Sequence, residues 1–109
     1  MATDSSIRIS GTIVDKDGES PNDSTQVNLI IFEVTPRFRF LKTVPVTGGS
    51  FSLSDLKEGA PYNICIKAGT ILRWIGDNNS VVKNKNEARQ LIPGEALSID
   101  MNISLDISL

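Results

Sequence analysis

Asp15, Asp17, Glu19 and Asp23 fall within nine residues, and carboxylates that close together are the first place to look for chemistry. A hard cation such as Ca²⁺ takes several carboxylate and carbonyl oxygens, and Asp15-Lys-Asp-Gly18 opens as a calcium loop does. The later ligand positions of an EF-hand are missing, however, and Asp-Gly is also what a hairpin turn requires. The expectation is therefore a plain turn and no metal.

Histidine is absent from the chain. That excludes Ser-His-Asp and Cys-His nucleophilic sites and every His-bearing zinc site. No carboxylate pair stands among the apolar neighbours that would raise a pKa for general acid work. The lone Cys65, inside Asn63-Ile-Cys-Ile-Lys67, has no cysteine partner in the chain and is read as a small buried hydrophobe. These readings point away from an enzyme and from any cofactor.

Basic residues interleaved with aromatics form a third arrangement. Arg37-Phe-Arg-Phe40, Arg73-Trp74 and the run Lys83, Lys85, Arg89 hold the ingredients of a single-strand nucleic-acid platform. In a strand, though, Arg37 and Arg39 face one way and Phe38 and Phe40 the other, which predicts phenyl rings in the core and arginines in water. Nucleic acid is accordingly not expected as a partner. Trp74 ahead of Gly76-Asp-Asn-Asn-Ser80 offers a different use, a sugar-stacking ring with polar tips nearby. Trp74, Asp77, Asn78 and Asn79 are the candidate carbohydrate contacts; the competing expectation is a tryptophan buried in the core.

The elements that would position these groups are short. At 109 residues, 39% hydrophobic and 22% charged, the chain has the composition of one globular domain. Eleven basic against thirteen acidic side chains give a net charge of −2, so no overall field draws it to nucleic acid or an anionic membrane. No apolar run approaches the ~20 residues that span a bilayer. Met1 to Ser6 carries no charged-then-apolar leader, so the chain as it stands reads as cytoplasmic, although a fragment of a longer secreted protein would read the same. Residues 1–6 are expected to be a disordered tail and 7–109 a single domain.

Ile7, Ile9 and Ile13 alternate with polar residues and lead into Asp15-Lys-Asp-Gly-Glu19, a strand followed by a hairpin loop. Thr25 to Val34 is apolar through its middle, which suits a central strand covered on both faces. Arg37 to Val44 alternates but meets Pro45, which predicts an edge strand or a bulge. Thr47-Gly-Gly-Ser50 makes a tight turn into Phe51-Ser-Leu53. Tyr62 to Ala68 and Thr70 to Ile75 are further strands, Asn84 to Leu91 holds the one plausible helix, and Pro93-Gly94 turns the chain into its last strand. Seven or so short strands with at most one helical turn predict an all-β, antiparallel Greek-key sandwich.

That last strand is unusually long. From Leu97 to Leu109 every odd residue is apolar and every even one polar, a run of roughly 40 Å where ~5 or 6 residues are typical. It has no Pro and no Lys to blunt an edge. Leu97, Ile99, Met101, Ile103, Leu105, Ile107 and Leu109 therefore mark an assembly edge, with the strand central or paired to a second subunit. The alternative, narrowly preferred, is that the strand bends at Asn102 or Ser104 and closes its own sandwich.

Ile9-Ser-Gly-Thr-Ile-Val-Asp15, Gly18, Pro21, Val27, Gly49-Ser-Phe-Ser-Leu53, Leu56, Gly59 and Tyr62 follow an order that resembles the carboxypeptidase regulatory-like domain. The likeness covers about Ile7 to Ala68. It implies a transthyretin-like (prealbumin-like), Ig-like β-sandwich, a non-catalytic module for adhesion, assembly or carbohydrate contact. Without the family, Gly49 and Gly59 read as positive-φ turns, and Phe51, Leu53, Leu56 and Tyr62 as one end of the core. The functional expectation is a module for protein–protein interaction or assembly, self-association included. A small carbohydrate-binding module is the alternative.

Overall fold

A computed structural model of the chain describes residues 7–21, 26–57, 59–93 and 98–108. The expected tail, residues 1–6, lies outside them. Period-2 alternation turns each strand into a two-faced element, and the apolar faces of two sheets meet. β1 (Ile7–Val14) sends Ile9 and Ile13 inward, and β4 (Ser50–Leu56) sends in Phe51, Leu53 and Leu56. Opposite them are Val27, Leu29 and Ile31 of β2 (Val27–Glu33) and Tyr62, Ile64, Ile66 and Ala68 of β5 (Tyr62–Ala68). This one cluster is the core of an all-β sandwich.

β3 (Arg39–Pro45), β6 (Ile71–Ile75), the two-residue β7 (Val81–Val82) and β8 (Ser98–Ser104) complete eight strands. The sheet orders are β4-β1-β8 and β3-β2-β5-β6-β7. All pairs are antiparallel except β1 with β8, which run parallel from Arg8 opposite Ser98 to Val14 opposite Ser104. β2 is interior, and β3 is both an edge strand and part of a register shift opposite Ile31 and Phe32, as Pro45 and the alternation predict. Instead of a helix over Asn84 to Leu91 there is a 3-10 turn at Lys85–Glu87, with no side-chain cap at Asn84. Too few residues lie between Val82 and Leu91 to offset helix nucleation.

Part of the terminal run packs inside the chain. Met101, Ile103 and Leu105 are buried against the core and Ile107 is half-buried. The strand itself stops at Ser104. The Leu105 N–H still donates to the Val14 carbonyl at 2.8 Å, and the Lys16 N–H to the Ile107 carbonyl at 3.0 Å. β8 lies at the edge of its sheet, which corrects the central-strand expectation; its parallel partner β1 supplies the interior strand. Leu97 and Leu109, and the Ile99 side chain, lie outside the described residues.

Gly11 makes that parallel pairing feasible. A Cβ there would sit 1.9 Å from the Met101 carbonyl oxygen and 2.9 Å from the Phe51 ring, so only a hydrogen lets β8 come this close. Gly49 has φ +83° in the Thr47–Ser50 turn, the left-handed geometry a tight hairpin needs. Two side chains latch the sandwich across its open seams. Lys42 on β3 donates from Nζ to the Ser54 carbonyl of β4 at 2.5 Å, and Arg73 on β6 donates from Nε to Asp106 beyond β8 at 2.9 Å. The Tyr62 hydroxyl accepts the Lys57 N–H at 2.9 Å, closing the loop that enters β5.

Candidate functional site

β2 is as apolar on its outer face as on its inner one. Leu29 and Ile31 point into the core, which leaves Ile30 and Phe32 on the opposite side of the five-stranded sheet. Register then fixes their neighbours: Thr43 and Phe40 from β3, and Cys65 and Asn63 from β5. Beyond these come Trp74 and Leu72 of β6, then Val82 of β7. Phe38, just before β3, joins them.

Phe32 is the hub. Its ring stacks on Phe38 at a centroid distance of 4.8 Å and an interplanar angle of 15°. It meets Phe40 edge-on at 6.3 Å and Trp74 at 5.5 Å. Offset and edge-to-face pairs such as these add roughly 0.5–1.5 kcal/mol beyond the area they bury. Lys85, carried by its 3-10 turn, places Nζ 3.7 Å from the Phe38 centroid, a cation–π contact. Phe40 is 57% exposed, Leu72 49% and Phe38 37%, so the cluster is a surface feature rather than a second core.

This overturns the expected placement of the β3 aromatics. Alternation does set Arg39 opposite the phenyl rings, and Arg39 pairs with Glu33 at 2.6 Å. Yet the rings face outward, because Leu29 and Ile31 have already taken the inner positions of the adjoining strand. Sequence reasoning missed Phe32, Leu72 and Lys67, which register adds to the same face. The signal was present in Thr25 to Val34, whose apolar residues on both faces require a cover on each.

Cys65 is buried beneath this layer, opposite Trp74 in register, as a small hydrophobe should be. Burial pushes its thiol above the ordinary value of 9.0, against a smaller lowering from the Arg73 backbone.

The proposed sugar contacts are not gathered in one place. Trp74 is half-buried on the outer face, whereas Asn79 lines a small cavity with Ile64, Ile75 and Met101 on the core side. Asp77 is exposed in the 3-10 turn Asp77–Asn79 between them, and the Asn78 side chain lies outside the described residues. The acidic loop is organised around its own backbone. Asp15 Oδ1 accepts the N–H groups of Asp17 at 2.8 Å and Glu19 at 3.0 Å, and the Asp15 N–H reaches the Glu19 carbonyl at 2.8 Å. That is an Asx turn, with Asp15 buried as its hub. Asp23 lies outside the described residues. Among those described, no group of three or more His, Cys, Asp or Glu side chains converges on a metal-sized space. No described helix is long and apolar enough to cross a membrane.

Charge divides along the same line as the sheets. The segments 27–45 and 62–89, which build the five-stranded sheet, hold eight basic and three acidic residues, whereas the rest of the chain holds three basic and ten acidic. On the outer face itself Lys67 and Lys85 are the charged groups that register and ring contacts place, and no carboxylate occupies a register position there. No family model matches the chain, and no curated protein matches it.

Proposed function

We propose that the protein is a non-catalytic interaction module whose working surface is the outer face of the five-stranded sheet, and that the surface receives another protein. The observation that carries this reading is the aromatic cluster itself. Of six aromatic residues in the chain, four (Phe32, Phe38, Phe40 and Trp74) lie outside the core. An exposed apolar patch rimmed by polar groups marks an interaction surface more often than an accident of folding.

The chemistry of the patch favours protein over the other candidates. Base or sugar stacking needs open ring faces. Phe38 is covered by Phe32 and by Lys85, and Phe40 meets Phe32 edge-on. What the face offers most openly is the Phe40 ring beside the half-exposed aliphatic Leu72, a pair that buries well against apolar side chains. Aromatic anchors with a polar rim are what protein interfaces are built from. The likeness to carboxypeptidase regulatory-like domains, as non-catalytic modules, agrees with this reading.

Selection of a random dodecapeptide library displayed on phage tests it. Binders are expected to enrich on the native protein and to be lost on the double variant Phe40→Ser, Leu72→Ser, with unchanged circular dichroism. Binders indifferent to that variant, or no enrichment at all, would refute the proposal.

A further inference from the structure

Resting on that reading, we infer that the segment received by this face is acidic and comes from a different protein, a stretch that sets Asp or Glu beside apolar anchors. Complementarity of charge carries the argument. Lys67 stands on the outer face, cross-strand from Asn28 and Leu72, and Lys85 stands over Phe38. The elements around them carry eight cations to three anions. In a partly desolvated contact an unanswered ammonium is costly, so the partner must supply the carboxylates that this face lacks.

A second copy of this chain fails on two counts. Packed face to face about a two-fold axis, it would press one lysine-bearing face against another, with no carboxylate at a register position of either to answer the ammonium groups. Packed head to tail, it would bring its acidic half, whose one exposed large hydrophobic among the described residues is Ile92, in the loop after β7 and not on a strand face. Among the described residues the exposed large hydrophobics are Phe38, Phe40, Leu41, Ile71, Leu72 and Ile92, all outside β1, β4 and β8. A single-stranded nucleic acid would satisfy the lysines but would find neither face of Phe38 open and no use for Leu72.

The peptide library separates this inference from the reading beneath it. Enriched dodecapeptides should combine acidic with large apolar residues, and Lys67→Glu should weaken the best of them about threefold to tenfold. Lys67→Gln should give an intermediate loss, and raising salt from about 0.05 to 0.5 M should shrink all these differences. Peptides that are neutral or basic, yet still lost with Phe40→Ser, Leu72→Ser, would overturn the acidic partner and leave the interface standing. Binders that ignore Phe40 and Leu72 would overturn both. So would tight binding of oligothymidylate or cellohexaose by the native protein when no peptide is selected.

Discussion

The ammonium of Lys85 lies 3.7 Å from the centroid of the Phe38 ring, whose other face is stacked on Phe32 at 4.8 Å. The two neighbours cannot share a side at those distances, so Phe38 is held between them. Lys85 thereby ties a 3-10 turn that follows β7 to the aromatic cluster at the far end of the sheet, beyond the short ladder of Val81 and Val82. Replacing Lys85 with Gln removes the cation while keeping most of the stem. The expected cost is about 0.5–1 kcal/mol in urea unfolding, with a change in Trp74 emission, since Trp74 leans on Phe32 and Phe38. An unchanged spectrum and midpoint would mean that the contact does not persist in solution.

Gly11 is the narrowest point of the β1–β8 pairing. Gly11→Ala places a methyl where the Met101 carbonyl already is, and backbone cannot step aside as a flexible side chain can. The variant should lose about 1–3 kcal/mol, as overpacked sites do. Chemical denaturation measures it directly; a loss under about 0.5 kcal/mol would show β8 free to shift away from β1.

A chain ending at Asn102 lacks Ile103 and Leu105, both buried in the core. Removing either side chain alone would cost about 2–5 kcal/mol, and a domain this size is stable by only about 5–15. The truncated chain should fail to fold, read as loss of near-ultraviolet circular dichroism. A truncated chain that folds would mean that the strand's end is dispensable to the sandwich and free for other uses.

Acid should act through the Arg73–Asp106 latch. The Arg73 hydrogen bond holds the Asp106 carboxyl below its usual value of 3.8. The unfolded chain therefore takes up that proton first as pH falls, so the stabilisation is complete above about pH 5 and drains away through the folded pKa. Asp106 is 44% exposed, which limits the effect to about 1 kcal/mol or less. The stability gap between native protein and Asp106→Asn should be flat near neutrality and shrink below pH 4. A gap that grows on acidification would contradict the sign.

Much of the fold is legible in the residues because strand alternation and turn glycines are local signals. Phe51 and Leu53 share a buried face, Gly49 and Gly59 sit at positive φ, and Pro45 marks an edge strand, each as its chemistry dictates. The aromatic face is less legible, for a physical reason. Alternation tells which of Phe38, Arg39 and Phe40 share a side, but the side that meets the core is decided by the neighbouring strand. β2 is apolar on both sides, so its own sequence does not distinguish them. The partner of β8 is similarly silent, since an alternating strand carries the same pattern whether it pairs parallel or antiparallel.

Parallel pairing of the first and last strands has a mechanical consequence. β1 enters its ladder where β8 enters, and β8 leaves where β1 leaves, so Arg8 and Ser104 lie at opposite ends of the same seven-residue ladder. Tension applied between the two ends of the domain runs along the strands, roughly perpendicular to their hydrogen bonds. The bonds are then loaded together in shear rather than peeled one after another, and the steep approach of Met101 to Gly11 sits in the middle of that seam. Strung in line between neighbours, such a domain would yield to force late and all at once.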